Sequence, residues 1–250
     1  LEKISVNYIY LKYSWWVAHK RDNIIKQTYR YCVDFLKYIN SPTNNKLKEV
    51  FTNYDFDAVY SNTSTVDIGY RIASVMGIPH VWHVREFGRE DFGFIPLVPQ
   101  DSMRTAFEKA SAIIAISTAL KEKILQQNPK STVVVIQNGF NVEKLKYQRE
   151  HIIDCNNVKI LVTGQVSEAK GQIQAVKAIS KLNSPNIKYQ LYLAGEVDSD
   201  YRKQILECKL CPEWLHFLGK VNNLFEIRKD IDIELVCSRS EAFGRVTIEA

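Results

Sequence analysis

The sequence predicts an α/β protein made of two doubly wound domains with parallel sheets. Three observations predict it. From about residue 57, short apolar runs alternate with amphipathic stretches at the spacing of strand–helix–strand units. The alternation stops over residues 141–157, which are polar, charged and without period, and then resumes. The turns carry glycine, proline or helix-capping residues where an element must end. The domains are therefore read as residues 1–140, a linker over 141–157, and residues 158–250.

Residues 1–50 are hard to parse. Tyr31, Cys32, Phe35, Leu36 and Ile39 recur near helical spacing, and Asn40-Ser41-Pro42 stops that helix. Residues 58–60 read as a short strand, followed by a turn of possible helix caps over 61–65. Residues 66–76 are a helix closed by Gly77. Residues 79–84 are a strand and 85–99 a long loop. Residues 101–109 are a helix and 111–116 an apolar strand. Ser117 caps a helix to about residue 127, and the strand 132–136 closes on Asn138-Gly139. In the second half, strands are expected over 158–163, 187–194, 214–218 and 231–236. Helices are expected over 169–182, 201–209 and 224–228. The last residues, 240–250, read as a loop leading into the start of one more helix.

Composition narrows the class. The 250 residues are 46% hydrophobic, ordinary for a globular chain. No apolar run approaches the ~18 residues that span a bilayer, and no signal-peptide pattern opens the chain. Five scattered cysteines fit a reducing compartment, so the chain reads as cytoplasmic. The net charge is +5, and residues 1–50 hold nine Lys/Arg against four Asp/Glu. They also hold six of the thirteen tyrosines and the pair Trp15-Trp16. Such a mixture fits contact with an anionic membrane surface, and equally a solvated face over an aromatic strand. No nucleic-acid motif accompanies it, so no nucleic-acid partner is expected. The chain lacks an initiator Met and stops shortly into an apparent helix. It is read as part of a longer protein, with the first domain incomplete at its start and the second at its end.

The chemistry-bearing stretch is at the end. Glu241 and Glu249 bracket Phe243-Gly244-Arg245-Val246, behind the apolar run 231–236. A helix opening after Gly244 offers free N–H groups and a positive dipole end to a phosphate. A second stretch, Gly164-Gln165-Val166-Ser167-Glu168-Ala169-Lys170-Gly171, joins a strand to a helix. It is a phosphate site in kind, though neither a Walker loop nor a dinucleotide fingerprint. On these residues alone a plain strand-to-helix turn with a surface lysine is the favoured reading.

Glu241-x7-Glu249 with its internal Phe-Gly resembles the motif of family 4 glycosyltransferases. These retaining enzymes use nucleotide sugars on two Rossmann-like domains facing a cleft, the GT-B fold. Three more stretches match in order. The Gly164–Gly171 loop is similar to a family loop whose lysine, here Lys170, neutralises the donor pyrophosphate. Gln165 stands where the family usually has arginine. The run from Val135 to Asn141 is similar to the family turn before the linker. The run from Phe217 to Val221 resembles the turn whose backbone lies beside the nucleotide base. The resemblance implies that Glu249 holds the ribose hydroxyls and that Glu241 orients the donor sugar. Lys170, Arg245 and the amides around Gly244 and Val246 would hold the diphosphate, without metal or cofactor. Family members also place a histidine after the strand 79–84. Counted from Pro79, that position falls nearer Arg85 than His83, and both are carried as catalytic candidates. Arg85 and Glu86 also fit a plain ion pair.

Two other patterns are weaker. Cys208-x-x-Cys211 has no second pair and reads as two helix-end thiols. Asp198-Ser199-Asp200 has the form of a metal motif, but the same form recurs at Asp55 and Asp230, and helix capping explains it. The expected activity is hexosyl-type transfer from a nucleotide-diphosphate sugar to a carbohydrate or lipid-linked acceptor, in cell-surface polysaccharide or glycolipid synthesis. The residues as given are expected not to catalyse alone. The alternatives are a nucleotide-sugar-binding module without transferase activity and, more remotely, a sugar-nucleotide epimerase.

Overall fold

The computed structural model describes residues 7–20, 24–141, 153–183, 188–207 and 213–250. The chain divides into two units, Leu1–Asn138 and Gly139–Ala250. In the first, the elements run β1 (Val17–His19), α1 (Ile24–Ile39), α2 (Asn44–Phe51), β2 (Val59–Ser61), α3 (Ile68–Met76) and β3 (His80–Val84). They continue with α4 (Arg89–Phe92), β4 (Phe94–Pro96), α5 (Gln100–Glu108), β5 (Ala112–Ala115), α6 (Thr118–Gln127) and β6 (Val133–Val135). The main sheet is parallel, in the order β2-β3-β5-β6.

The strand β3 shows why. Its inward positions His80, Trp82 and Val84 are buried while His83 and Val81 are less so, the alternation a covered strand requires. Trp82 lies between Trp16, at 5.9 Å, and Phe107, at 5.0 Å, in a stack of aromatic rings. The Trp16 Nε1–H leaves this apolar layer by donating to the Ser64 carbonyl at 2.7 Å. Gly77 ends α3 in the left-handed region, with its N–H on the Ala73 carbonyl. Ser117 caps α6 by accepting from the Leu120 N–H.

One expectation is corrected here. Residues 85–99 are not a plain loop: they contain α4 and β4, and β4 pairs antiparallel with β1. Strands this short carry no readable alternation, and their partners lie far apart in sequence.

The second unit runs β7 (Asn157–Thr163), α7 (Gln172–Leu182), β8 (Lys188–Ala194), α8 (Ser199–Glu207), β9 (Leu215–Gly219), α9 (Leu224–Arg228), β10 (Ile233–Glu234) and α10 (Arg245–Glu249). Its sheet is parallel, in the order β10-β7-β8-β9. Ile160, Val162, Leu191 and Leu193 meet Val176 and Ile179 of α7 and Ile205 of α8 in one core. From β7 the chain winds outward through β8 to β9, and α9 then returns it to the other side of β7. The winding direction reverses at β7, and open sheets bind ligands beyond the C-terminal ends of the strands at such a point. The loops after β7 and β10 are the two that meet there.

Two further expectations change. The helix over 169–182 is broken: a 3-10 turn over Glu168–Lys170 ends at Gly171 before α7 begins. The strand over 231–236 shortens to Ile233–Glu234. Residues 142–152 of the expected linker, and the Cys208/Cys211 pair, lie outside the described residues.

Candidate functional site

The loop after β7 is stitched together by its own residues. The side chain of Gln172 is fully buried; its Nε2 donates to the Gln165 carbonyl at 2.9 Å, and its Oε1 accepts from the Ser167 N–H at 3.2 Å. Gln165 itself is exposed. Gly171 has φ 67°, and a Cβ there would lie 2.3 Å from the Cys237 carbonyl oxygen. Only glycine lets this loop touch the backbone that follows β10. The Arg239 N–H donates across the same seam to the Ala169 carbonyl at 3.4 Å.

This seam brings two motifs together. The stem of Lys170 runs over Gly164, whose Cβ position lies 3.8 Å from Lys170 Cδ and Cε. Lys170 Nζ reaches Glu241 Oε1 at 2.5 Å, both side chains being about one-third exposed. The loop after β7 and the loop into α10 are therefore joined by an ion pair facing solvent.

Glu249 lies one helix turn beyond Gly244, where α10 begins in a left-handed conformation. Its Oε1 accepts from Arg245 at 2.9 Å, and its Oε2 faces Arg228 NH1 at 3.6 Å. Arg228 is 2% exposed and is held by Glu234, which accepts from Nε at 2.8 Å and NH2 at 3.1 Å. Thr163 Oγ1 donates to the same carboxylate at 2.6 Å. Phe243 stacks on Phe140 at 5.7 Å, and the Arg245 guanidinium lies 5.8 Å from the Phe140 ring. Val246 accepts the Ala250 N–H within α10. Val221 instead packs with Leu224 and Ile227 against Leu161, Ala194 and Ile231.

Sequence reading missed Gln172, Arg228, Glu234 and Phe140. Three of them left a signal. Gln172 occupies the inward position of an otherwise apolar helix face with Ala175, Val176 and Ile179. Glu234 interrupts an apolar run, and a buried strand carboxylate must have a partner. Phe140 follows the Asn138-Gly139 turn where the resembling motif differs.

His83 and Arg85 belong to the first unit. The Tyr60 hydroxyl and His83 Nδ1 are hydrogen-bonded. Burial, and then the Arg85 charge, lower the His83 pKa, while Glu86 acts the other way. Glu86 does not form an ion pair with Arg85. Its Oε1 accepts from Ser64 N–H at 2.9 Å, Ser64 Oγ at 2.7 Å and Thr63 Oγ1 at 3.1 Å. It pins the turn after β2, and Arg85 stays exposed. A cavity of about 340 Å³ lies under residues 86–89, between Phe94, Phe107 and Ile124, with Arg104 and Lys123 on its wall. Asp198 Oδ1 accepts from the N–H groups of Asp200 and Tyr201, so it caps α8. Among the described residues no cluster of His, Cys, Asp and Glu could hold a metal ion, and no helix is long and apolar enough to cross a membrane.

Comparison with known proteins matches both units. The family model described as "Glycosyltransferase Family 4" covers residues 9–144, and that described as "Glycosyl transferases group 1" covers residues 143–250. The alpha-maltose-1-phosphate synthase of Mycolicibacterium smegmatis is 24% identical over 219 residues, which is 77% of this chain and 56% of that protein. The crystal structure of Anabaena HepE with UDP and glucose superposes with a TM-score of 0.66 at 23% identity, covering 82% of this chain and 60% of that one. The pneumococcal O-GlcNAc transferase GtfA with UDP and GlcNAc does so with a TM-score of 0.56 at 16% identity, over 86% and 43%. This chain thus spans 43–60% of the length of these relatives. At such identities the structures establish the fold, which is GT-B. Because a family model accounts for more than half of its residues, the chain belongs to glycosyltransferase family 4.

Proposed function

We propose that the second unit binds the donor of a retaining, metal-independent glycosyltransferase that moves a hexosyl group from a nucleotide-diphosphate sugar to an acceptor hydroxyl. The observation that carries this is the Lys170–Glu241 ion pair at the reversal point of the sheet. A free lysine there is a phosphate ligand, and a free carboxylate beside it is a sugar-hydroxyl ligand. Donor entry exchanges one partner for the other. Lys170, with Arg245 and the amides around Gly244, takes the diphosphate, and Glu241 takes hydroxyls of the sugar. Glu249 takes the ribose diol. The backbone near Val221 borders the base, and Phe243 continues the wall towards Arg245.

In the reaction the bond from the anomeric carbon to the diphosphate oxygen breaks. The acceptor oxygen bonds to that carbon on the same face, and its proton passes to a phosphate oxygen of the leaving group. Negative charge grows on the diphosphate, and fixed cations aimed at it lower the barrier. Holding the sugar in place is the contribution of Glu241. The acceptor is assigned to the first unit, near His83, Arg85 and the cavity beneath residues 86–89. A lipid-linked acceptor at the inner face of the membrane suits α1, which buries none of its residues and exposes Ile24, Ile25, Tyr29 and Leu36. The synthesis of a cell-surface polysaccharide or glycolipid is the setting this reading supports.

A thermal-shift screen of UDP-, GDP- and ADP-sugars on the protein tests the donor class. UDP comes first, since three of the matched structures contain it. Release of free nucleoside diphosphate by the full-length protein should then vanish with Glu241→Ala and survive EDTA; loss with EDTA would refute the metal-independent step. Lys170→Ala should weaken nucleoside diphosphate binding roughly tenfold to a hundredfold, the worth of one charge-assisted hydrogen bond. Gln165, neutral where the family has arginine, favours a second reading as a binding module. Nucleotide binding with no release of diphosphate in the presence of any acceptor would select it.

A further inference from the structure

We infer that Arg228 is a positioning residue that fixes the Glu249 carboxylate for the ribose diol of the donor. This rests on the ribose reading of Glu249 above. Arg228 lies on α9, outside every motif, and its side chain is 2% exposed. A guanidinium cannot shed its charge, so burying one demands acceptors for its N–H groups. Glu234 meets that demand on one side, gripping Nε and NH2 at two points, and Thr163 Oγ1 in turn fixes Glu234. The other side is left over. NH1 is buried, has no hydrogen-bond partner, and faces Glu249 Oε2 at 3.6 Å.

The two arginines around Glu249 differ in freedom. Arg245 is 65% exposed and holds Oε1 by a helix-surface pair that can let go. Arg228 is enclosed and gripped, so it stays. A carboxylate offers about four lone-pair sites. Arg228 holds Oε2 from the protein side by charge alone, at ion-pair distance, and release of Arg245 frees the lone pairs for two adjacent hydroxyls. A buried ion pair seldom stabilises a fold more than apolar side chains of the same volume would. What apolar residues could not supply is a fixed positive charge behind Glu249, holding its oxygens toward the ligand.

Isothermal titration of the protein with UDP and with 2′-deoxy-UDP tests this. The wild-type protein is expected to prefer UDP by about tenfold or more, the loss when one hydroxyl bound to a charged group is removed. The double variant Arg228→Met/Glu234→Leu, which replaces the buried ions by apolar groups, is expected to bring that ratio close to one. It should still bind UDP through Lys170. A general loss of folding would lower both affinities together, whereas lost positioning collapses the ratio. Retention of the wild-type ratio by the folded double variant overturns the inference and leaves the donor reading intact. Wild-type protein that binds both nucleotides equally removes the ribose role of Glu249 and this inference with it. Failure of the wild-type protein to bind UDP, GDP or ADP counts against the donor reading as well as the inference. If the double variant does not fold, Glu234→Gln, which loosens the two-point grip but keeps the guanidinium, must lower the ratio; an unchanged ratio there also overturns the proposal.

Discussion

His80 is buried on β3, with Nε2 on Ser61 Oγ at 2.9 Å and no partner for Nδ1. Burial lowers its pKa from 6.5 to about 4. The neutral ring is the folded form, so between these values the unfolded chain binds the extra proton. The stability it contributes is complete above pH 6.5 and is lost as the pH falls toward 4, by about 3 kcal/mol in all. Urea unfolding at pH 7 and pH 5 should show the loss in the wild-type protein, and His80→Gln should flatten it. Gly171 is the second decisive residue. Gly171→Ala forces a Cβ against the Cys237 carbonyl in a left-handed backbone and should cost about 3 kcal/mol. The same change should weaken UDP binding, because it parts the loops that carry Lys170 and Glu241. Of the candidate site, Lys170, Glu241 and Glu249 stand out in the sequence, since each sits in a local motif. Their pairings do not, since an ion pair across distant loops leaves no local pattern.

At the level of elements, α9 and β10 carry their charges inward. Arg228→Met alone leaves Glu234 buried without a counter-charge and should destabilise the fold by about 3–5 kcal/mol. Arg228→Met/Glu234→Leu should recover most of that loss, and chemical denaturation of the two variants measures the difference. Most strands and helices after residue 57 were legible from apolar runs together with the turn and capping residues that bound them, the three-residue β2 and β6 included. The seven-residue β7 was, with its nearly continuous apolar run. The three-residue strands β1 and β4 were not, because their pairing depends on a fold already formed. Gly171 closes the phosphate-type loop in the sequence, but its left-handed backbone also divides the expected helix, a break that apolar spacing alone does not reveal.

On the scale of the whole molecule, each unit has its own parallel sheet, and the second has its own apolar clusters packed on that sheet. Each should melt as its own cooperative transition. UDP at a hundred times its dissociation constant should raise the stability of the second alone, by about 2.7 kcal/mol. Scanning calorimetry with and without UDP reads this directly, and a shift in both transitions would show that the units melt together.

The unliganded site keeps its own counter-ions: Lys170 is matched by Glu241, Arg245 by Glu249, and Arg228 by Glu234. Three positive and three negative groups cancel, so a stray inorganic phosphate meets no unclaimed cation. It could displace Glu241 from Lys170 but would leave that carboxylate stranded, with no hydroxyl to take up. A ligand that brings anion and hydroxyls together satisfies both halves at once. On the proposed donor reading, rejection of the commonest small anions in a cell should thus begin before any sugar is recognised.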